Sequence, residues 1–361
     1  MSELGGDLPV TRGRARRSAR RSRARRRAVA VLALLSAVAA VAAVTLATLH
    51  VIKLHSTPAP PPVIVHHARP ASTDIERASV AQLGTLSSAV AGAAAVPLAS
   101  GGAMLFGGLD SASTPVATVQ SFDGAHTTVT GTLPAPLGGS AAALLGGAPY
   151  LFGGSATSGA SADIVSVSNA GANATIVSQL PQPASGVAVA TVGQTAYVIG
   201  GYNGTADLDT IVAFTVSGGT RSVATLPQPL AGAVAVALAG SVYVIGGTDG
   251  NATVYAIYRF DPVSDTVTKV ASLPIALTDA AAAAFGDQVV VLGGARAASA
   301  NQTSRIYAFT PASGRVTLLG NLPAQLSGAV AVSQPNGILL LGGVEPDGQT
   351  SSAIYSVRLS G

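Results

Sequence analysis

Cysteine and tryptophan are both absent from the 361 residues. The first absence removes disulfides, thiolate nucleophiles and cysteine-ligated metals together, so packing and strand pairing alone must hold the fold. Charge is scarce: Asp, Glu, Lys and Arg make up 10% of the chain, against roughly a quarter in an average soluble domain. Of five histidines only His126 lies beyond residue 67, which leaves no clustered imidazole ligands in the body of the protein. What is present is glycine, at 42 residues, and a hydrophobic fraction of 48%. Turns, strands and a sizeable core follow more readily from this than surface helices with charged faces.

The net charge of +4 is unevenly spread, because ten of the twenty basic residues fall between Arg12 and Arg27. The remainder of the chain holds 10 basic and 14 acidic residues. Its body therefore lacks the basic footprint of a nucleic-acid binder, and no nucleic-acid partner is expected. Immediately after the arginines, residues 28–49 run for 22 residues without a charge. A helix of that length crosses a hydrocarbon core of about 30 Å. Residues 28–52 are thus expected to be a transmembrane signal-anchor with the lipid bilayer as its partner. The basic tail 1–27 would stay cytoplasmic, and the rest would be extracytoplasmic at the cell membrane. Cleavage of the segment and secretion is the alternative, although a cleaved signal normally carries a shorter apolar run. Residues 53–74 hold a Pro-rich spacer, STPAPPPVIVHHARP at 56–70, stiff enough to lift the next domain from the membrane. Its adjacent His66 and His67 point opposite ways in an extended chain and do not make a metal site.

From residue 84 onward an apolar run ending in Gly-Gly recurs six times, at Gly107 and Gly108, Gly153 and Gly154, Gly200 and Gly201, Gly246 and Gly247, Gly293 and Gly294, and Gly342 and Gly343. Successive first glycines are 46, 47, 46, 47 and 49 residues apart. Leu-Pro recurs in phase, at Leu133, Leu180, Leu226, Leu273 and Leu322, each twenty residues before a first glycine. Between the markers lies an Ala/Val-rich hairpin pattern. After each pair come a polar loop, a third strand carrying Phe122, Val167, Phe214, Phe260, Phe309 or Val357, and a fourth strand. Four strands in about 46 residues, six times over, give an all-β fold: a six-bladed β-propeller of four-stranded blades over residues 75–361, preceded by one transmembrane helix. The last repeat lacks its fourth strand, and residues 78–83, ASVAQL, match RSVATL at 221–226. They are expected to complete the last blade and so close the ring. The glycines are assigned to structure, as residues without Cβ where strand ends pack against a neighbouring blade.

This pattern resembles the Kelch repeat, best in YRFDPVSDTV at 258–267 and FTPASGRV at 309–316. The resemblance implies a propeller of the galactose oxidase and Kelch-like type, with an Ala- and Arg-rich composition that reads as bacterial. It departs from the pattern at the Trp position, filled by Val267 and Val316. It departs again at the Arg after the Leu-Pro turn, replaced by Leu137, Ala184, Leu230, Leu277 and Leu326. The copper-radical chemistry of galactose oxidase needs a cysteine, which is missing. No Walker-type or dinucleotide motif follows the glycine pairs, so no cofactor and no metal are expected.

The polar residues available for binding cluster after the glycine pairs: Asp110, Asn203, Asp207, Asp209, Asp249, Asn251, Asn301, Glu345 and Asp347. Repeat topology places these loops on one face, where propellers commonly bind. Asp279 occupies a position held by glycine in four other repeats, at Gly139, Gly186, Gly232 and Gly328, which points to an inner strand near the axis and to capping by backbone amides or water. No pair of carboxylates converges in the sequence. The functional expectation is therefore a non-catalytic binding or scaffold module for a protein, peptide or glycan, with an extracytoplasmic sugar epimerase or mutarotase as the alternative.

Overall fold

A computed structural model describes residues 75–168, 171–296 and 301–361. The expected tail, anchor and spacer over 1–74 lie outside the described residues. Among the described residues no helix is long and apolar enough to cross a membrane.

The repeats fold into six four-stranded antiparallel sheets, the blades of a propeller. In the third blade the strands run, from axis to rim, Ala188–Val192, Thr195–Ile199, Thr210–Thr215 and Gly219–Thr225. The fourth and fifth blades repeat this order, with inner strands Val234–Leu238 and Ala281–Phe285. The second blade adds a short hairpin, Ser155–Ala156 with Gly159–Ala160, inside its loop. Arg77–Thr85 is the outermost strand of the sixth blade, antiparallel to Ala353–Ser360, with Val80 opposite Val357. The expected closing segment 78–83 lies within it. Joining first strand to last removes an edge that would otherwise template pairing with another chain.

Each outermost strand carries one unpaired extra residue, Leu83, Thr130, Val177, Val223, Val270 or Leu319. These six bulges sharpen the twist that blade packing requires.

Six hydrophobic clusters fill the six interfaces between neighbouring blades. One joins Phe106 and Val119 to Leu151 and Val165, and the last joins Leu339 and Ile354 to Leu105 and Phe122. Edge-on aromatic pairs cross three of these interfaces, Tyr197 on Phe260 at 5.1 Å, Tyr243 on Phe309 at 5.5 Å and Phe152 on Phe214 at 5.5 Å. Such pairs add about 0.5–1.5 kcal/mol beyond the area they bury. The leucine of each Leu-Pro plugs the same interface, and Leu86 performs this role at the first blade without a following proline.

Candidate functional site

The glycine pairs locate one face of the disc. At the end of each second strand the first glycine has a left-handed backbone, and a Cβ there would meet the carbonyl of the loop entering the next blade. At Gly246 that atom is the Leu277 oxygen, at 2.2 Å. The second glycine then donates its N–H to the same carbonyl, as Gly247 does to Leu277 at 2.8 Å. Gly200 and Gly201 treat Leu230 in this way, and Gly342 and Gly343 treat Val90. The residues standing in place of the Kelch arginine, Leu137, Ala184, Leu230, Leu277 and Leu326, are buried at these junctions. Each glycine pair is thus a backbone clasp between adjacent blades.

Beside the clasps, one residue from each blade meets at the axis: Gly92, Gly139, Gly186, Gly232, Asp279 and Gly328. Every one donates its N–H to the carbonyl of the residue in the preceding blade, over 2.7–2.9 Å, and Gly92 closes the circle on Gly328. All six have a left-handed backbone, with φ between 51° and 62°. Five are glycine, for which this costs nothing, whereas Asp279 at φ 51° adopts it with a side chain. Asp279 lies two residues ahead of the inner strand Ala281–Phe285, at its axial end.

Inside the ring the inner strands enclose a channel of about 200 Å³, walled by glycine, alanine and valine with Ser140 and Asp279. The Asp279 carboxylate is the only titratable group on that wall. The residue is exposed to the channel, yet the protein packed around that channel desolvates the carboxyl enough to push its pKa above the ordinary value, with the Thr278 hydroxyl opposing the shift. Thr278 Oγ1 lies 3.3 Å from its Oδ2. Among the described residues the Thr278 hydroxyl is the donor to this carboxyl, and the Asp279 N–H itself is spent on the Gly232 carbonyl in the ring.

The polar loops surround the ring on the same face, since Ala91, Ser185, Ala231, Thr278 and Ser327 each pair with the residue following a glycine pair. Asp110, Asn203, Asp249 and Asp347 sit at equivalent turns and fold them: Asp110 Oδ1 accepts from Ala112 and Thr114, and Asp249 Oδ1 from Asn251 and Ala252. Asn203 Oδ1 accepts from Thr205 and Ala206, and Asp347 Oδ1 from Gln349. The two amide bonds hold the Asp249 carboxylate below its ordinary pKa. Asp207, on the neighbouring loop, is shifted the other way, first by burial and then by the Asp249 charge. Its Oδ2 is buried without a hydrogen-bond partner, as are Gln302 Oε1 and the channel-side Ser140 Oγ. Asp209 is half-buried, Asn251 is exposed, and the Glu345 carbonyl accepts weakly from Gln302 at 3.5 Å. Asn301 belongs to the same loop region, in the fifth blade. Sequence reasoning singled out these loop residues but missed Gly92, Thr278, Ser140 and Gln302. A 47-residue step back from Gly139 would have found Gly92; the other three carry no local signal. No group of three His, Cys, Asp or Glu side chains among the described residues is placed to hold a metal ion.

Comparison with known proteins fits this geometry. The Kelch motif model matches residues 183–225 and 229–274, the third and fourth blades. No curated protein matches the chain. Among solved structures 788 chains match, including the structure of YjhT at 16% identity and a TM-score of 0.68, covering 77% of this chain and 99% of that one. So widespread a fold fixes architecture and leaves function to the site. The described residues form a six-bladed, all-β propeller of four-stranded blades, and the chain carries Kelch motifs.

Proposed function

We propose that the protein is a membrane-tethered binding or scaffold module. Residues 28–52 anchor it, residues 53–74 space it from the bilayer, and the propeller presents its ring face to a protein or glycan on the extracytoplasmic side. The observation that carries this reading is the composition of the ring face. Its channel wall offers a single ionisable side chain, Asp279, whereas acid–base or glycosidic chemistry on a sugar draws on two convergent groups. Around it, the three loop carboxylates of Asp110, Asp249 and Asp347 accept from the backbone of their own short turns, a preorganised rim suited to recognition. The test is a glycan and peptide array probed with the full-length chain and with a D207N/D249N/D347N variant. Binding that drops at least tenfold in the variant supports the module. Turnover of a sugar anomer or epimer with no array binding overturns it in favour of an enzyme.

A further inference from the structure

The first and second blades meet differently from the blades that follow. At three consecutive interfaces a tyrosine three residues before the first glycine faces the phenylalanine of the next blade's third strand. Tyr150 lies 5.7 Å from Phe214, Tyr197 5.1 Å from Phe260 and Tyr243 5.5 Å from Phe309. Between the first and second blades the same two positions hold Met104 and Val167, both buried. The inner turn of the first blade is also longer, five residues at 98–102 against two in each other blade, and it brings Leu98 against the same cluster.

Where these two departures from the repeat coincide, the blades leave a cleft of about 530 Å³. It opens at the far ends of the inner strands from Gly92 and Gly139, on the face opposite the axial ring. Val96, Leu98, Met104, Leu144, Pro149 and Val167 wall it, and no charged side chain among the described residues does. Interiors packed to native density leave few voids of this size, whereas small-molecule sites occupy roughly 300–1,000 Å³. The interface between the fifth and sixth blades also lacks the ring pair, with Val290 and Val357 at the two positions. There, however, Ile75 and Phe285 pack into the cluster. The missing rings are thus made good at one interface and not at the other.

What the chain itself places at these positions in the later blades indicates the occupant. We infer that the cleft binds an uncharged small molecule with a single aromatic ring, the ring seated between Met104 and Val167 as the Tyr–Phe pairs seat theirs. The methionine thioether favours contact with a ring and adapts its shape to one. A charged ligand would lose its hydration against this wall without finding a partner. A neutral polar substituent on the ring can stay wet at the mouth, where the exposed Ser168 lines the cleft. This site lies on the other face from the axial ring and stands independently of the binding role proposed above.

The chain has two methionines, Met1 and Met104, so methyl-labelled methionine in the full-length protein reports on the cleft through a single NMR resonance. Titration with benzyl alcohol is expected to shift the Met104 methyl signal saturably and to leave Met1 unmoved. Val167→Phe restores the ring present at Phe214, Phe260 and Phe309; it should weaken binding at least tenfold while the melting temperature holds or rises. Should that variant fold poorly, Leu98→Trp at the half-exposed lip provides the same block and the same expected loss. No saturable shift at millimolar benzyl alcohol overturns the inference, as does undiminished binding by the folded blocking variant. Cyclohexylmethanol or benzylammonium binding as tightly as benzyl alcohol overturns it too, by removing the need for a ring or for neutrality. The D207N/D249N/D347N variant, altered only on the ring face, should titrate like the wild type, and a loss of binding there also contradicts a separate site.

Discussion

Asp279→Gly should make the protein more stable at neutral pH. The substitution gives all six ring positions the residue that their backbone favours. A side chain in the left-handed region costs about 1 kcal/mol or more, less for Asp than for most residues. Relief of this strain outweighs the long Thr278 contact, at 3.3 Å, that is lost with the carboxylate. For a domain of this size, a gain of about 1 kcal/mol raises Tm by roughly 2–4 °C. The ionised carboxylate adds a pH-dependent part. Its folded-state pKa is raised by burial above the ordinary value of 3.8. As pH falls from neutral through that raised value, the folded wild type takes up a proton that the unfolded chain does not yet bind, so wild-type stability increases. The advantage of the variant is thus largest at neutral pH and shrinks on acidification, until the unfolded carboxyl also protonates. Scanning calorimetry of the full-length chain between pH 4.5 and 7.5 measures both components. A variant that melts at or below the wild type at pH 7, or a difference independent of pH, would refute the reasoning.

Other perturbations follow from the same geometry. Gly246→Ala drives a Cβ to 2.2 Å from the Leu277 carbonyl and should cost at least about 3 kcal/mol, whereas Gly250→Ala, with only Asp207 Oδ2 at 3.6 Å, should cost about 1 kcal/mol; denaturant midpoints separate the two. Ala239, at φ 52° in a two-residue hairpin turn between Val234–Leu238 and Ser241–Ile245, should yield about 1 kcal/mol of added stability on replacement by glycine. Deleting residues 77–85 exposes the edge of Ala353–Ser360, and size-exclusion chromatography should then show association or aggregation in place of the wild-type species.

The blade count and ring closure were legible because each repeat repeats its packing problem. A leucine must plug every interface and a glycine pair must clasp it, so both recur at one period. Leu86 lacks the proline that flags the other copies, and only its packing with Val90 and Ile354 reveals it as the sixth plug. The polar loops were visible as composition, yet their turn-folding bonds, as at Asp110 and Asp249, depend on backbone donors that no side-chain pattern encodes. The ring of six axial hydrogen bonds joins residues about 47 positions apart through main-chain atoms, so the sequence shows it only as a spacing of glycines with Asp279 out of place. The bulges at Leu83, Val177 and their equivalents shift the alternation by one residue, which reads as noise until the strands are paired.

The central claim is that ligands dock on the face bearing the ring and the polar loops. Hydrogen-exchange mass spectrometry of the full-length chain, with and without a ligand selected from the array, tests this most directly. The account predicts slowed exchange in the loops at 108–117, 201–209, 247–255 and 343–351. Slowed exchange confined to the opposite turns, at 98–102 and 238–241, or to the outermost strands, would contradict it.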